Sequence, residues 1–464
     1  MAAVTFTDGG DFIIRDRLRG HKGQVLCAAA PESTSRQAVV ATGAEDSTVR
    51  LWDLRATTSS RVTLCLCRCF DGEAVTSVVF RPGDANRLYC SAGGKVLEFD
   101  LRAKAGGLLL VTSPSATIDA GAEEVNEVAV HPKGEYLAAA DDSGVVKVYN
   151  VSTRRLHKTL RNAHASICHT VRFRPRASWD VASGALDSTL VMWDFSSGKV
   201  RRKLDFVDEA TGSSSASASS SSSQKLFNPP FVYSVDFSLD GHFLAAGLGD
   251  SGVVVLDAKT RNPVGRCDGH AAPISQVHYP RFDPTLLVSA GNDRRLLFWD
   301  HRPFEQAVES RDSSSSSSSS SKNSRMSAGN SASRRGQGCL PRLGNVEETP
   351  GGAQPSNPKK KMGRSRKGKR SSSRAVDQHR AGEPQTPRSI LTTPEERSTD
   401  NGEGGELPSG EGGQNEGGVT CSTALSMVFL EEKPNWVASL DAPYDALVLA
   451  DTSSEVKILG RRGT

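Results

Sequence analysis

Three stretches of this chain are copies of one another, and a chain built from copies has few folds open to it. ATGAEDSTVRLWDLR at 41–55, VASGALDSTLVMWDF at 181–195 and VSAGNDRRLLFWDHR at 288–302 share one plan. Each reads as a strand of small residues, a turn carrying Asp, and a short apolar strand closing on Trp-Asp. Three weaker copies stand at 88–102, 137–151 and 244–258, where Phe99, Tyr149 and Leu256 replace the tryptophan. A repeat of this length cannot bury its apolar face alone and must stack against its neighbours.

A further apolar strand is expected about ten residues before each copy, at Val25–Ala29, Val75–Phe80, Val125–Val130, Ile167–Phe173, Val232–Phe237 and Ile274–Tyr279. Alternation with period two marks TSVVF and HTVRF as half-buried strands. Arg61–Cys67, Arg155–Leu160 and Val200–Phe206 leave room for a fourth strand in each unit. Four antiparallel strands every 40 or so residues make a propeller blade. Six blades leave open edges unless a seventh closes the ring. The chain offers one at its end, from 433–439, 445–451 and 455–460, with the N-terminal FTDGGDFIIRD as outer strand. The expectation is therefore an all-β, seven-bladed propeller.

Spacing inside the strong copies adds a second constraint. Thr42, Asp46 and Trp52 are separated by four and six residues, and Ser183, Asp187, Trp193 and Ser289, Asp293, Trp299 repeat that spacing. His21, His164 and His270 precede the three groups by about twenty residues. The Asp can accept from a histidine ring nitrogen, and the hydroxyl can join that ring to the indole N–H. This grouping resembles the His–Ser/Thr–Asp–Trp network of the WD-repeat family. Histidine, serine and aspartate together also suggest a hydrolase triad, but three copies at blade spacing read as architecture. There is no phosphate loop, no CxxC pair and no cluster of metal ligands, so neither enzyme activity nor a cofactor is expected.

Composition divides the chain. Blades one to six occupy 1–307, broken at 212–224 by a Ser-rich loop expected to be disordered. The Ser-, Gly- and charge-rich stretch 308–420 is too polar to bury a core and is also expected to be disordered. The seventh blade is expected in 421–464. No apolar run reaches eighteen residues, and the N-terminus has no basic start followed by an apolar core, so neither a membrane span nor a signal peptide is expected. Nine cysteines, three of them at alternate positions 65, 67 and 69, read as free thiols in a reducing compartment.

The resemblance extends to the WD-repeat substrate receptors of cullin-4 RING ubiquitin ligases, which dock on the ligase adaptor through an Arg two residues after the Trp-Asp aspartate. Trp52-Asp53-Leu54-Arg55 and Trp299-Asp300-His301-Arg302 match it, and Phe99-Asp100-Leu101-Arg102 matches in part. Blade four departs, with Ser196 there. The resemblance implies that Arg55, Arg302 and Arg102 contact the adaptor while the opposite face takes a substrate. The alternative is a general scaffold in another nuclear or cytoplasmic complex, the arginines pairing with their own aspartates. PKKKMGRSRKGKR at 358–370 lacks the aromatics of a nucleic-acid site and is read as an import signal.

Overall fold

The computed structural model describes residues 11–32, 38–55, 63–67, 72–102, 109–111, 113–207, 228–310, 419–421 and 424–462. The chain divides into two units, 1–324 with 415–464, and 325–414. The second unit lies outside the described residues, as do the Ser-rich loop at 212–224 and the basic run at 358–370.

The described strands form seven sheets, each built on four antiparallel strands that follow one another outward from the axis in chain order, except that the outer strand of the last comes from the beginning of the sequence. Blade one is built from Val25–Ala29, Val39–Ala44, Thr48–Asp53 and Thr63–Cys67, and blade four from Cys168–Phe173, Asp180–Ala185, Thr189–Asp194 and Lys199–Asp205. Two blades gain a fifth, parallel strand on their outer edge: Leu109–Val111 on blade one and Val419–Cys421 on blade five. The innermost strands touch neighbour to neighbour around the whole circle, blade seven lying between blades six and one. Closure joins the two chain regions, because Phe12–Arg19 pairs antiparallel with Glu455–Arg461 as the outer strand of blade seven. This is the seven-bladed propeller expected from the repeats.

A ring of separate sheets leaves the inner edge of each first strand without a backbone partner, and buried N–H groups need one. Side chains supply it. The Ser77 hydroxyl accepts from Val128 N–H at 3.2 Å, Glu127 from Val171 at 2.8 Å, Thr170 from Val235 at 3.2 Å and Ser234 from Val277 at 3.2 Å. Gln276 takes the N–H of Val437. Blades two to six thus each hold the next through one polar residue at the same place in the first strand, where blades one and seven carry Cys27 and Trp436. A β-bulge just before that residue occurs in all seven blades. Bulges re-aim a side chain and sharpen the local twist.

Between blades the core is apolar. Strands such as Tyr136–Asp141 and Phe243–Leu248 are rich in alanine, which lets sheets approach where the ring is narrow. Trp52, Trp193 and Trp299 fill the wider space outside and are fully buried. Burying a side chain of this kind is worth about 1.5–3 kcal/mol or more.

Two boundaries differ from the sequence reading. Ser426–Phe429, expected in the seventh blade, pairs with Arg295–Asp300 and completes blade six. The seventh blade therefore begins at Pro434 rather than at 421. The long polar segment still precedes that blade, but it leaves before the outer strand of blade six and returns to it. A strand edge open in blade six selects the next apolar stretch available, whatever the separation, because loop closure costs grow slowly with length. Residues 302–310 are helical, so 308–310 belong to the packed domain and not to the polar segment. The cause is Phe304, fully buried in the core of blades five and six, with Ala307 and Val308 against it.

Candidate protein-interaction surfaces

The strand order gives the ring two faces. The upper face carries the links between blades and the turns between second and third strands. The lower face carries the other two turns of each blade.

Just under the upper face lie the three expected networks. In blade one, His21 Nδ1 lies 3.1 Å from Asp46, its Nε2 lies 2.8 Å from the Thr42 hydroxyl, and Trp52 donates to that hydroxyl at 2.8 Å. In blade six, His270 stands 2.9 Å from Asp293 and 2.8 Å from Ser289, which accepts from Trp299 at 2.8 Å. Both fit one proton arrangement, with Nδ1–H directed to the carboxylate and Nε2 accepting the hydroxyl hydrogen. Blade four differs in one contact. His164 Nε2 lies 2.7 Å from Ser183, which takes the Trp193 indole at 2.8 Å, but its Nδ1 is nearest Thr189, at 2.9 Å. Thr189 in turn donates to Asp187 at 2.6 Å. Each aspartate also accepts the N–H of the residue after the histidine, Lys22, Ala165 or Ala271. The network therefore ties the link between blades to the turn of the next blade.

Burial lowers the affinity of His21 for a proton, and this outweighs the pull of Asp46. Burial pushes Asp46 and Asp187 up, yet hydrogen bonds from the histidine, the neighbouring threonine and the backbone together hold both well below the usual carboxylate range. Asp293 is likewise lowered, by His270 and the Ala271 N–H against its burial. A buried histidine locked between a hydroxyl and a carboxylate has no room for a substrate, so these residues support the surface rather than form it.

Blades three and seven reach the same end by another route, which the sequence reading missed. Lys147 Nζ lies 2.7 Å from Asp141 and also donates to Ala120 O in the link from blade two. Lys457 pairs with Asp451, both almost fully buried. Ser143 and Ser453 donate to the same aspartates. The neighbouring Asp142 accepts from Asn126 at 2.8 Å instead, while Asp141 occupies the buried place. The signal was present as DDSGVVK at 141–147 and DTSSEVK at 451–457, the same Asp, Ser and Lys offsets twice.

The axis of the ring opens on both faces. The upper mouth is a cavity of about 290 Å³ whose rim holds the bulged residue of every blade: Leu26, Thr76, Asn126, His169, Tyr233, Ser275 and Asn435. These positions are structurally equivalent and differ in size and polarity, although Thr76, Asn126, His169 and Asn435 each bond a carbonyl of the next blade. Midway, Arg172 is held by Glu127, stands 3.7 Å from Asp236 and lies 5.6 Å from the Trp436 ring, and His278 lies 3.0 Å from Asp236. The lower mouth is larger, about 500 Å³, and Arg81, Arg281 and Asp441 line it. Among the described residues no group of three or more His, Cys, Asp or Glu could hold a metal ion. Cys27, Cys90, Cys168 and Cys267 are buried free thiols.

The three arginines of the docking motif lie on the lower face and share one geometry. Each folds back on its own aspartate as a two-pronged fork. The Nε and Nη2 distances are 2.9 and 2.5 Å for Arg55 to Asp53, 2.9 and 2.6 Å for Arg102 to Asp100, and 2.9 and 2.6 Å for Arg302 to Asp300. Their side chains are 66%, 56% and 62% exposed. Blades six, seven, one and two are consecutive in the ring, so the three stand on one arc. Self-pairing and exposure thus occur together.

Comparison with known proteins follows this anatomy. The family model "WD domain, G-beta repeat" matches residues 12–53, 112–150, 154–194, 222–257 and 261–300. Each match ends with the third strand of a blade. A WD repeat-containing protein 53 homolog of Dictyostelium discoideum is 31% identical over 301 residues, which is 62% of this chain and 78% of that protein. WD repeat-containing protein VIP3 of Arabidopsis thaliana is 26% identical over 36% of this chain and 49% of its own length. Nuclear distribution protein PAC1 of Arthroderma otae is 28% identical over 30% of this chain and 36% of its own.

Proposed function

The chain belongs to the WD40-repeat family and is a protein-interaction scaffold of that family; from this premise we propose that it is non-catalytic and holds partners on both faces of the ring. The observation that carries this reading is the contrast between equivalent positions. A tie to a carbonyl of the next blade recurs at the upper mouth, made by Thr76, Asn126, His169 and Asn435, whereas the side chains standing at these equivalent places run from Leu26 to Tyr233. The tie belongs to the framework, and the variation beyond it is what a bound partner can read. The test is alanine substitution of Tyr233 and Leu26 at that mouth. Partners captured by the intact chain and identified by mass spectrometry should be lost, with the melting midpoint unchanged. Retention of every partner by the double variant would remove this face from the reading.

A second, finer reading has its own support: Arg55, Arg302 and Arg102 dock the ring on the adaptor of a cullin-4 RING ubiquitin ligase. Three exposed guanidinium forks of one geometry on one arc favour a shared partner surface, and the likeness to the protein 53 homolog is compatible with it. A guanidinium released from its aspartate can make a planar two-pronged contact with a carboxylate or backbone oxygens. Arg55→Ala combined with Arg302→Ala should weaken binding of purified adaptor at least tenfold. If the unaltered chain does not bind adaptor, the general scaffold in another complex stands in its place. For residues 358–370 the proposal is nuclear import, and deletion of 312–418 should then abolish nuclear accumulation of a still folded ring.

A further inference from the structure

Repetition offers an internal control for surface residues, because the same place in the fold occurs several times. One such place is the residue just before the second strand, whose carbonyl accepts the N–H of the residue after the third. It is held by Ala38, Asn86, Glu135, Trp179, His242 and Thr285 in blades one to six. The backbone bond, 2.7–3.0 Å long in all six, does not depend on the side chain. A tryptophan is therefore not required there, and Trp179 remains 40% exposed.

Its surroundings are the outer part of the junction between blades three and four. Trp179 lies 5.9 Å from the Tyr136 ring, 6.5 Å from His157 in stacked orientation and 5.3 Å from Phe195. Val200 pairs directly across from Trp193, so it shares the face of blade four that looks toward blade three, and it is 46% exposed. The Lys158 stem crosses the junction and lies against Gly198. An exposed aromatic and aliphatic strip of this kind marks an interaction site more often than it serves the fold.

The charge around the strip has one sign. Arg155, Lys158, Arg176 and Lys199 have no ion-pair partner among the described residues, and all but Lys158 are exposed. The nearby carboxylates Asp180 and Asp194 are already engaged by Arg201, at 3.1 and 3.2 Å, and Glu98 by Arg154. Glu135, beside Tyr136, is the acid left to oppose the four bases. Basic side chains around an apolar floor attract an acidic chain and desolvate one bulky side chain in its middle.

We propose that the cleft between blades three and four, floored by Tyr136 and Trp179 and bordered by Arg155, Lys158, Arg176 and Lys199, docks an acidic linear segment of a partner protein with a bulky apolar side chain on the Trp179 ring. The site is at the outer rim of the lower face, where the first and third turns of blade four meet blade three, away from the upper mouth and from the arc of Arg55, Arg102 and Arg302. A single exposed indole, with aliphatic Val200 on the face of blade four toward blade three, favours a peptide over a nucleic acid, which needs successive aromatic faces for stacking.

The test is selection from a random twelve-residue display library on the full chain, run in parallel on Trp179→Ser and on Arg155→Glu with Lys199→Glu. The expected result is enrichment of net-negative sequences with a central Leu, Ile, Phe or Trp. A peptide synthesised from them should bind at least tenfold more weakly to each variant and weaken with salt. The charge-reversal variant alters only exposed groups, so it reports even if Trp179→Ser unfolds. No enrichment, sequences without negative charge, or equal binding to the charge variant would overturn the proposal. A labelled single-stranded oligonucleotide that binds more tightly than the peptide and is lost in the same variants would assign the cleft to nucleic acid instead.

Discussion

Blades one, four and six and blades three and seven solve one problem in two ways. In the first group a buried histidine from the link between blades reaches a hydroxyl and an aspartate in the turn of the next blade. In the second an aspartate at the end of the second strand is met by a lysine from the third. Blade two uses neither. Its Gly93 and Gly94 carbonyls accept from Val125 and Ala120 at 2.9 Å, and a Cβ on Gly94 would stand 2.0 Å from the Gly121 carbonyl oxygen. The shared requirement is a tie from link to turn, while its chemistry is free to vary. The ways differ in what they cost when broken. A histidine network loses hydrogen bonds, whereas the lysine pair is an ion pair set in or near the core.

The largest effect is therefore expected in blade seven. Lys457→Ala leaves Asp451 buried and unpaired, which should cost about 3–5 kcal/mol and be read as a lower midpoint in denaturant. Replacing both partners by apolar residues, Asp451→Ala with Lys457→Met, should recover much of the loss. Equal damage from the single and double variants would mean that the pair does more than neutralise itself.

A histidine outside the networks sets the second contrast. Burial pushes His301 down to about 4, against the pull of Asp240 and Asp300. Its proton is thus taken up by the unfolded chain from about pH 6.5 downward, but by the folded chain only near pH 4. Stability should fall across that window by about 3 kcal/mol, at 1.36 kcal/mol per unit. His301→Gln should flatten the curve of melting temperature against pH between 6.5 and 4. The lowered carboxyls Asp46, Asp187 and Asp293 act later. Their contribution is present above the ordinary aspartate value and is lost as pH falls below about 4, so that limb should persist in the variant.

Within the histidine networks, Asp187→Ala and Asp293→Ala should each cost about 1–3 kcal/mol, the size of a buried partner left unsatisfied. Asp142→Ala, which loses one contact to Asn126, should cost less. Equal small losses in all three would show that the networks do not carry the blade contacts. Smallest of all, Arg55→Ala with Arg302→Ala should leave the melting midpoint unmoved, since exposed ion pairs add little. A clear drop would place those arginines in the framework and count against a docking role.

Much of the fold was legible because each of its periods is short. Val25–Ala29 and Val232–Phe237 were bounded as found, since alternation and turn residues define a strand locally. His21, Thr42, Asp46 and Trp52 could be grouped because the same offsets recur three times. The Asp–Lys pairs were hidden by having only two copies. The arginines could be found but not oriented. A guanidinium on its own aspartate and one awaiting a partner have the same sequence.

By itself the sequence determined the repeat, the alternation of buried and exposed residues, and the supply of a closing strand from each end. These follow from local preferences written once per blade. Tertiary structure alone decided that Ser426–Phe429 finishes blade six, that Phe304 draws 302–310 into the core, and that Trp179 of blade four meets Tyr136 and His157 of blade three. Each of these joins residues whose separation along the chain carries no pattern. What selects them is an open strand edge or an unfilled volume, and those exist only once the neighbouring blades are in place.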